Sequence, residues 1–213
     1  AATQLGKFSS AVNTFRGKYA GIPGDLKNPY AFGFDAGRLG TIVGNSAIES
    51  GVGTADSFEH ETSCFWDDLT FSRLIDEELN QDASCEQAQT PAVLSKAIPQ
   101  SRAGRSNYVL IGAAGGVNYF WMTGVNSIAA GVYDLTDALT VADAFAIDAK
   151  IDDSVPTDGL VRAYTGTTAS AFFATPDTAA AAAAGVCVIA SGYNFTTNDG
   201  NEVGCQLRIY TQF

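Results

Sequence analysis

The chain has 213 residues and 22.2 kDa, 46% apolar and 16% charged, which is enough material for one sizeable core or at most two small ones. Twelve Lys and Arg against 23 Asp and Glu give a net charge of -11, a field that repels phosphate backbones and anionic headgroups and so argues against any nucleic-acid partner. The charged fraction lies below the roughly 25% of ordinary domains while Gly reaches 22 residues, so Ser, Thr, Asn and Gly solubilise the surface in place of ion pairs.

Leu5, Phe8, Val12, Phe15 and Tyr19 recur at steps of 3, 4, 3 and 4, which predicts an amphipathic helix over 1–20. Gly21 and Pro23 supply its stop, and Ala1 offers no capping side chain, as for a helix that continues further N-terminally in a precursor. Residues 22–52 are turn-rich (Pro23-Gly24-Asp25, Asn28-Pro29 and scattered Gly) and predict a long surface connection. A second helix is expected to open at Asp56, with Glu59 completing a capping box, and to carry Phe58, Phe65, Trp66, Leu69, Phe71, Leu74 and Ile75 towards Leu79. Between Ala92 and Val132, the runs Ala92–Leu94, Tyr108–Ile111 and Val117–Met122 alternate with Gly and Ser clusters and predict antiparallel strands. A third helix is expected from about Thr140, with Asp143 reciprocating at its start and Ala144, Ile147 and Ile151 on one face. Closing strands follow at Leu160–Tyr164, Val186–Ser191 and Gln206–Thr211. The six alanines Ala179–Ala184 read as a short helix or a variable surface insertion.

Cys64, Cys85, Cys187 and Cys205 form no C-x-x-C, and His60 is the single histidine, so the ligands of a structural zinc site are missing. Disulfides in an oxidising compartment are the better reading. Four cysteines allow three connectivities; nearest-neighbour pairing, closing loops of about 20 residues, is the expectation. His60 lies between Glu59 and Glu61 on an exposed helical turn and reads as a surface residue, not a catalytic base. Asp67-Asp68, Asp76-Glu77-Glu78 and Asp152-Asp153 are adjacent carboxylates that diverge on a helix instead of facing across a cleft, so no catalytic residue is assigned and the chain reads as non-enzymatic. Ile111–Gly116 lacks the Lys and Ser/Thr of a phosphate loop and predicts a Gly-rich hairpin turn. Calcium is the one cofactor the residues leave open. Asp152 and Asp153 (with Asp158) and the turn holding Asp199 and Glu202 offer oxygen ligands, without EF-hand spacing and with a solvated Asx-rich turn as the competing reading. Asn194-Phe195-Thr196 fits the N-glycosylation sequon.

Four stretches carry a family likeness. Phe15-Arg16-Gly17-Lys18-Tyr19 precedes Ile22-Pro23-Gly24-Asp25, and Glu59 or Glu61 precedes Phe65-Trp66-Asp67-Asp68-Leu69. Asp148-Ala149-Lys150-Ile151-Asp152-Asp153 runs to Pro156 and Gly159, and Cys187 and Cys205 bracket the C-terminal region. In these the chain resembles the type IV pilin and type II secretion pseudopilin superfamily, with Ser154 standing where the family usually has Gly. The resemblance implies an α+β pilin-like fold. Residues 1–20 would be the C-terminal half of the N-terminal helix and 22–132 a long insertion containing strands, with 139–213 supplying a helix and closing strands around a disulfide-bounded loop. It implies a single head over 1–213, in which Leu5, Phe8, Val12, Phe15 and Tyr19 pack the helix on an antiparallel sheet.

The implied function is mechanical. Identical or homologous pilin subunits would assemble into an extracellular helical filament serving adhesion, motility or secretion. The precursor would be held in the inner membrane, beside its assembly machinery, by an apolar half-helix preceding Ala1. The alternative is a secreted carbohydrate- or ligand-binding module, for which Trp66, Trp121 and the tyrosines would be stacking platforms if they were not core residues.

Overall fold

The apolar stripe of the first twenty residues forms α1 (Ala2–Tyr19), seen in a computed structural model that describes residues 1–34, 44–51, 55–79, 85, 88, 90–104, 106–166, 186–211 and 213. Leu5, Phe8, Val12 and Phe15 are buried along one side of it. Tyr19 is half-buried, its ring 5.3 Å from Phe32 and 5.2 Å from Phe34 instead of lying on the sheet. The helix ends one residue before the expected glycine: Ala20 turns left-handed (φ 57°) and its N–H bonds to the Arg16 carbonyl. The described part of the connection after it is not confined to the surface. Ile22, Leu26, Phe34 and Ile48 are buried in one apolar cluster with α1, the next helix and the sheet.

The second helix, α2 (His60–Phe71), is shorter than expected at both ends. Its cap is Glu59, not Asp56: Glu59 and Thr62 exchange the capping-box bonds, with Thr62 Oγ1 accepting from the Glu59 N–H at 3.2 Å. The residues before Glu59 are held extended, since Ser57 bridges Val132 and the Phe58 N–H donates to the Gly131 carbonyl at 2.7 Å. At the other end Arg73 adopts φ 57°, and the Leu74 and Arg73 N–H groups close onto the Leu69 and Thr70 carbonyls at 3.0 and 2.9 Å, a Schellman stop made without glycine. His60, the first helical residue, is half-buried with φ 49°, not exposed.

The strands are β1 (Asn107–Ala114), β2 (Val117–Ala129), β3 (Val132–Thr136), β4 (Leu139–Thr140), β5 (Val161–Tyr164), β6 (Val188–Ile189), β7 (Gly192–Tyr193) and β8 (Val203–Tyr210). Six of them form one antiparallel sheet in which β2 pairs β1 along one edge and both β3 and β8 along the other, while β8 also pairs β4 and β5. A two-residue turn joins β1 to β2, where Gly115 and Gly116 take φ 60° and 77° as a type I′ hairpin requires. Ala92–Leu94 forms no strand; a 3-10 turn occupies Leu94–Lys96, where exposed Ala92 and Val93 gain nothing from pairing. The closing segment 186–191 is likewise not one strand: β6 and β7 make a separate small hairpin. Ala179–Ala184 lies outside the described residues.

The third helix, α3 (Val141–Ile151), begins as its sequence predicts, with Thr140 Oγ1 accepting from the Asp143 N–H at 3.0 Å. One apolar cluster joins α1, α2, the sheet and α3, from Leu5 to Ile209. Its centre is aromatic: Phe8 meets Trp66 edge-on at 5.0 Å, and Phe120 of β2 stacks on Trp66 at 6.1 Å. Disulfides join Cys64 to Cys85 and Cys187 to Cys205, the nearest-neighbour pairing. Among the described residues no helix is long and apolar enough to cross a membrane.

Candidate functional site

Among the described residues, the fold gathers buried acidic side chains at two places, and the local structure explains both. The first is the C-terminal end of α3, where carboxylate oxygens of Asp148, Asp152 and Asp153 lie within 4.8 Å of one another. Asp148 is buried inside the turn. It accepts from the Ser154 N–H at 3.2 Å and from the Tyr193 hydroxyl at 2.8 Å, and burial, the largest influence, pushes its carboxyl above the usual range. Asp152 Oδ2 accepts from the N–H groups of Leu160 and Val161. The turn is possible because Gly159, at φ 75°, has no side chain to strike that carboxylate. Chemically this cluster is a staple that fastens α3 to β5 and, through Tyr193, to the small hairpin. Of the four calcium candidates, Asp152 and Asp153 come together here with Asp148. Asp199 and Glu202 sit apart, on the 3-10 turn Asn198–Gly200 and just before β8, where the Glu202 carbonyl accepts from the Val141 N–H.

The second place joins two of the motifs that the sequence sets far apart. The Pro23-Gly24-Asp25 turn packs directly on the first turn of α2, and the Gly24 N–H donates to Asp68 at 2.7 Å. Gly24 takes φ 83° and faces the Glu61 carbonyl, an approach with no room for a Cβ. Asp25, 3% exposed, accepts from the N–H of Gly44 and, at 2.6 Å, from that of Ser46. Glu61, 1% exposed, accepts from the Glu49 N–H at 2.9 Å through Oε2, and its carboxyl shares a hydrogen bond with that of Asp25. Burial first, then the neighbouring Asp25, pushes the Glu61 carboxyl up to about 10, and burial also raises Asp25. Asp25 and Glu61 were each visible in a motif, but their meeting depends on the path of residues 44–50, which no periodicity encodes.

Of the aromatic platforms named in the alternative reading, the two tryptophans lie in the core while Tyr210 is 40% exposed. Trp66 and Trp121 are both 0% exposed. Trp121 instead flanks the buried Arg208, whose guanidinium lies 4.7, 5.5 and 5.4 Å from the rings of Tyr119, Trp121 and Tyr164. Asn194 of the sequon is buried, its side-chain oxygen accepting from the Thr196 N–H at 3.1 Å. A groove of about 280 Å³ runs beside α1, with Phe8 and Leu74 at its floor and Lys7, Asp76 and Arg102 among the charges around it.

No protein-family model matches the chain. No curated protein and no solved structure matches it either. The fold therefore rests on its own geometry: an α+β arrangement with, among the described residues, three α-helices, an antiparallel sheet and two disulfides, the last in keeping with an oxidising compartment.

Proposed function

We propose that the chain is the head of a non-enzymatic, type IV pilin-like filament subunit that works outside the cell. The observation that carries this reading is the two-sided character of α1. Leu5, Phe8, Val12 and Phe15 seat one side in the core, while Lys7, Ser10, Asn13, Thr14, Arg16 and Lys18 stay exposed on the other. A helix anchored along one side and polar along the other can carry a head on a stalk and meet neighbouring helices at its exposed side. Repeated head-to-tail contacts between identical subunits then generate an open helical fibre, as heterologous association requires. Low charge density and two disulfide-closed loops suit a fibre exposed to the medium.

The test is to isolate the protein from its native cell surface and determine its N-terminal sequence, intact mass and sedimentation with shed fibres. The expected chain is longer than this one, with about 20 membrane-compatible residues ahead of Ala1, and pellets with filaments. A native chain that starts at Ala1 and never enters a filament overturns the reading.

A further inference from the structure

The filament reading gives no reason for the carboxyl pair behind the Pro23-Gly24-Asp25 turn. Asp25 and Glu61 are 3% and 1% exposed, stand on different segments and share a hydrogen bond between their carboxyls. Two ionised carboxylates have no hydrogen to share, so the bond holds a proton. Both Asp25 oxygens accept from backbone N–H groups, those of Gly44 and Ser46, which suits an ionised Asp25 and leaves the proton on Glu61. The titratable and charged groups around the pair are Lys27 on the turn, whose aliphatic chain passes Gly44, Glu49 on the 44–50 segment, and His60 and Asp68 on α2. Among the described residues the charges that act on Glu61 are acidic, Asp25 and Glu49, so none of them replaces the proton.

The bonds divide this place into two halves. On one side Asp25 grips the N–H groups of Gly44 and Ser46, so the turn and residues 44–46 form a unit. On the other side Glu61 accepts from the Glu49 N–H at 2.9 Å and donates its own N–H to the Glu49 carbonyl at 3.2 Å. The shared proton crosses between the halves, as does the Gly24 N–H, which donates to Asp68 at 2.7 Å. Asn118 of β2, bonded to the Ser46 carbonyl and the Ile48 N–H, is the fixed point behind them. We propose that the shared proton is a latch: while it stays between Asp25 and Glu61, the Pro23-Gly24-Asp25 turn and residues 44–46 are closed on α2, and as pH rises they open away from α2 while the sheet and α3 stay folded. In the open form Glu61 meets water and ionises near its ordinary pKa of 4.5, whereas in the closed form burial and Asp25 push it up to about 10. Opening between those values releases one proton, so each pH unit favours the open form about tenfold.

The experiment follows amide hydrogen exchange of the unmodified chain between about pH 6 and about pH 9, with the intrinsic rise of exchange rate divided out. Protection of the Gly24 amide, which crosses the latch to Asp68, should fall about tenfold per pH unit. It should also stay at least about tenfold below that of the paired amides of β1 and β2, because the latch opens without the sheet. Glu61→Gln keeps a side-chain N–H to donate to Asp25 but has no proton to lose, so it should stay closed and abolish the slope. The infrared band of a protonated carboxyl should be present in the parent at about pH 7 and weaker by one carboxyl in Glu61→Gln. Gly24 protection that ignores pH, that equals the β1–β2 value throughout, or whose slope survives Glu61→Gln overturns the latch, as does an infrared band that the substitution leaves unchanged. The first two outcomes are read on the unmodified chain and decide the matter even if the variant does not fold.

Discussion

Glu61 and Gly159 are the residues at which single atoms decide most. The folded state favours the protonated Glu61 carboxyl, whose pKa is raised from an ordinary 4.5 to about 10 by burial and by the neighbouring Asp25. Its contribution to stability is therefore fully present below about pH 4.5 and is lost as pH rises towards about 10, with a ceiling of about 1.4 kcal/mol per pH unit. Asp148, raised by burial, adds a loss of the same sign. Denaturation midpoints should accordingly fall on going from acid to alkaline pH, and Glu61→Gln should flatten that fall; parallel curves for the two proteins would contradict the assignment. At Gly159 the added methyl of Gly159→Ala meets the Asp152 carboxylate at φ 75°, so the staple must open, at a cost of about 1–3 kcal/mol in urea unfolding. A variant as stable as the parent would show that the turn relaxes freely.

Among the elements, α2 shows how local chemistry and tertiary contact divide the work of defining a helix. Its start is set by a capping box that the sequence does contain, Glu59 with Thr62, but Asp56 and Glu59 offer a competing pattern three residues earlier. The choice between them falls to the Ser57 bridge and the Phe58 bond to the β2–β3 turn, which keep the upstream residues extended. Its end is set by Arg73 in the left-handed region, a conformation that costs an ordinary residue about 1–2 kcal/mol. Arg73 is exposed, so Arg73→Gly should stabilise the protein by about 1 kcal/mol, measurable as a rise in chemical-denaturation midpoint without change of slope. By contrast α1 and α3 were legible from sequence, because an unbroken stripe and a Thr140–Asp143 cap state both period and start within a few residues.

At the scale of the whole molecule, the two disulfides join residues 21 and 18 positions apart along the chain. One ties α2 to Cys85, the other ties the approach to β6 to β8. Removing either, as Cys64→Ser with Cys85→Ser or as Cys187→Ser with Cys205→Ser, should cost about 3 kcal/mol, seen as a lower unfolding midpoint under non-reducing conditions. Reducing agent should reproduce the combined loss, and an unchanged midpoint would mean that the loops are held by packing. The sequence by itself determined the stripe of α1, the hairpin turn at Gly115-Gly116 and the cap of α3, since each is written in contacts between residues close along the chain, and it favoured, among three connectivities, the cysteine pairing that the structure shows. Only the tertiary structure decided that Ile22, Leu26, Phe34 and Ile48 enter the core, that Ala92–Leu94 forms no strand, and that both tryptophans are inaccessible. It alone brought Asp25 to Glu61 and Asp148 to Tyr193. The physical reason is common to all of these: burial and long-range hydrogen bonding depend on which surfaces meet in space, and hydrophobic periodicity records only that a surface is apolar, not what will cover it.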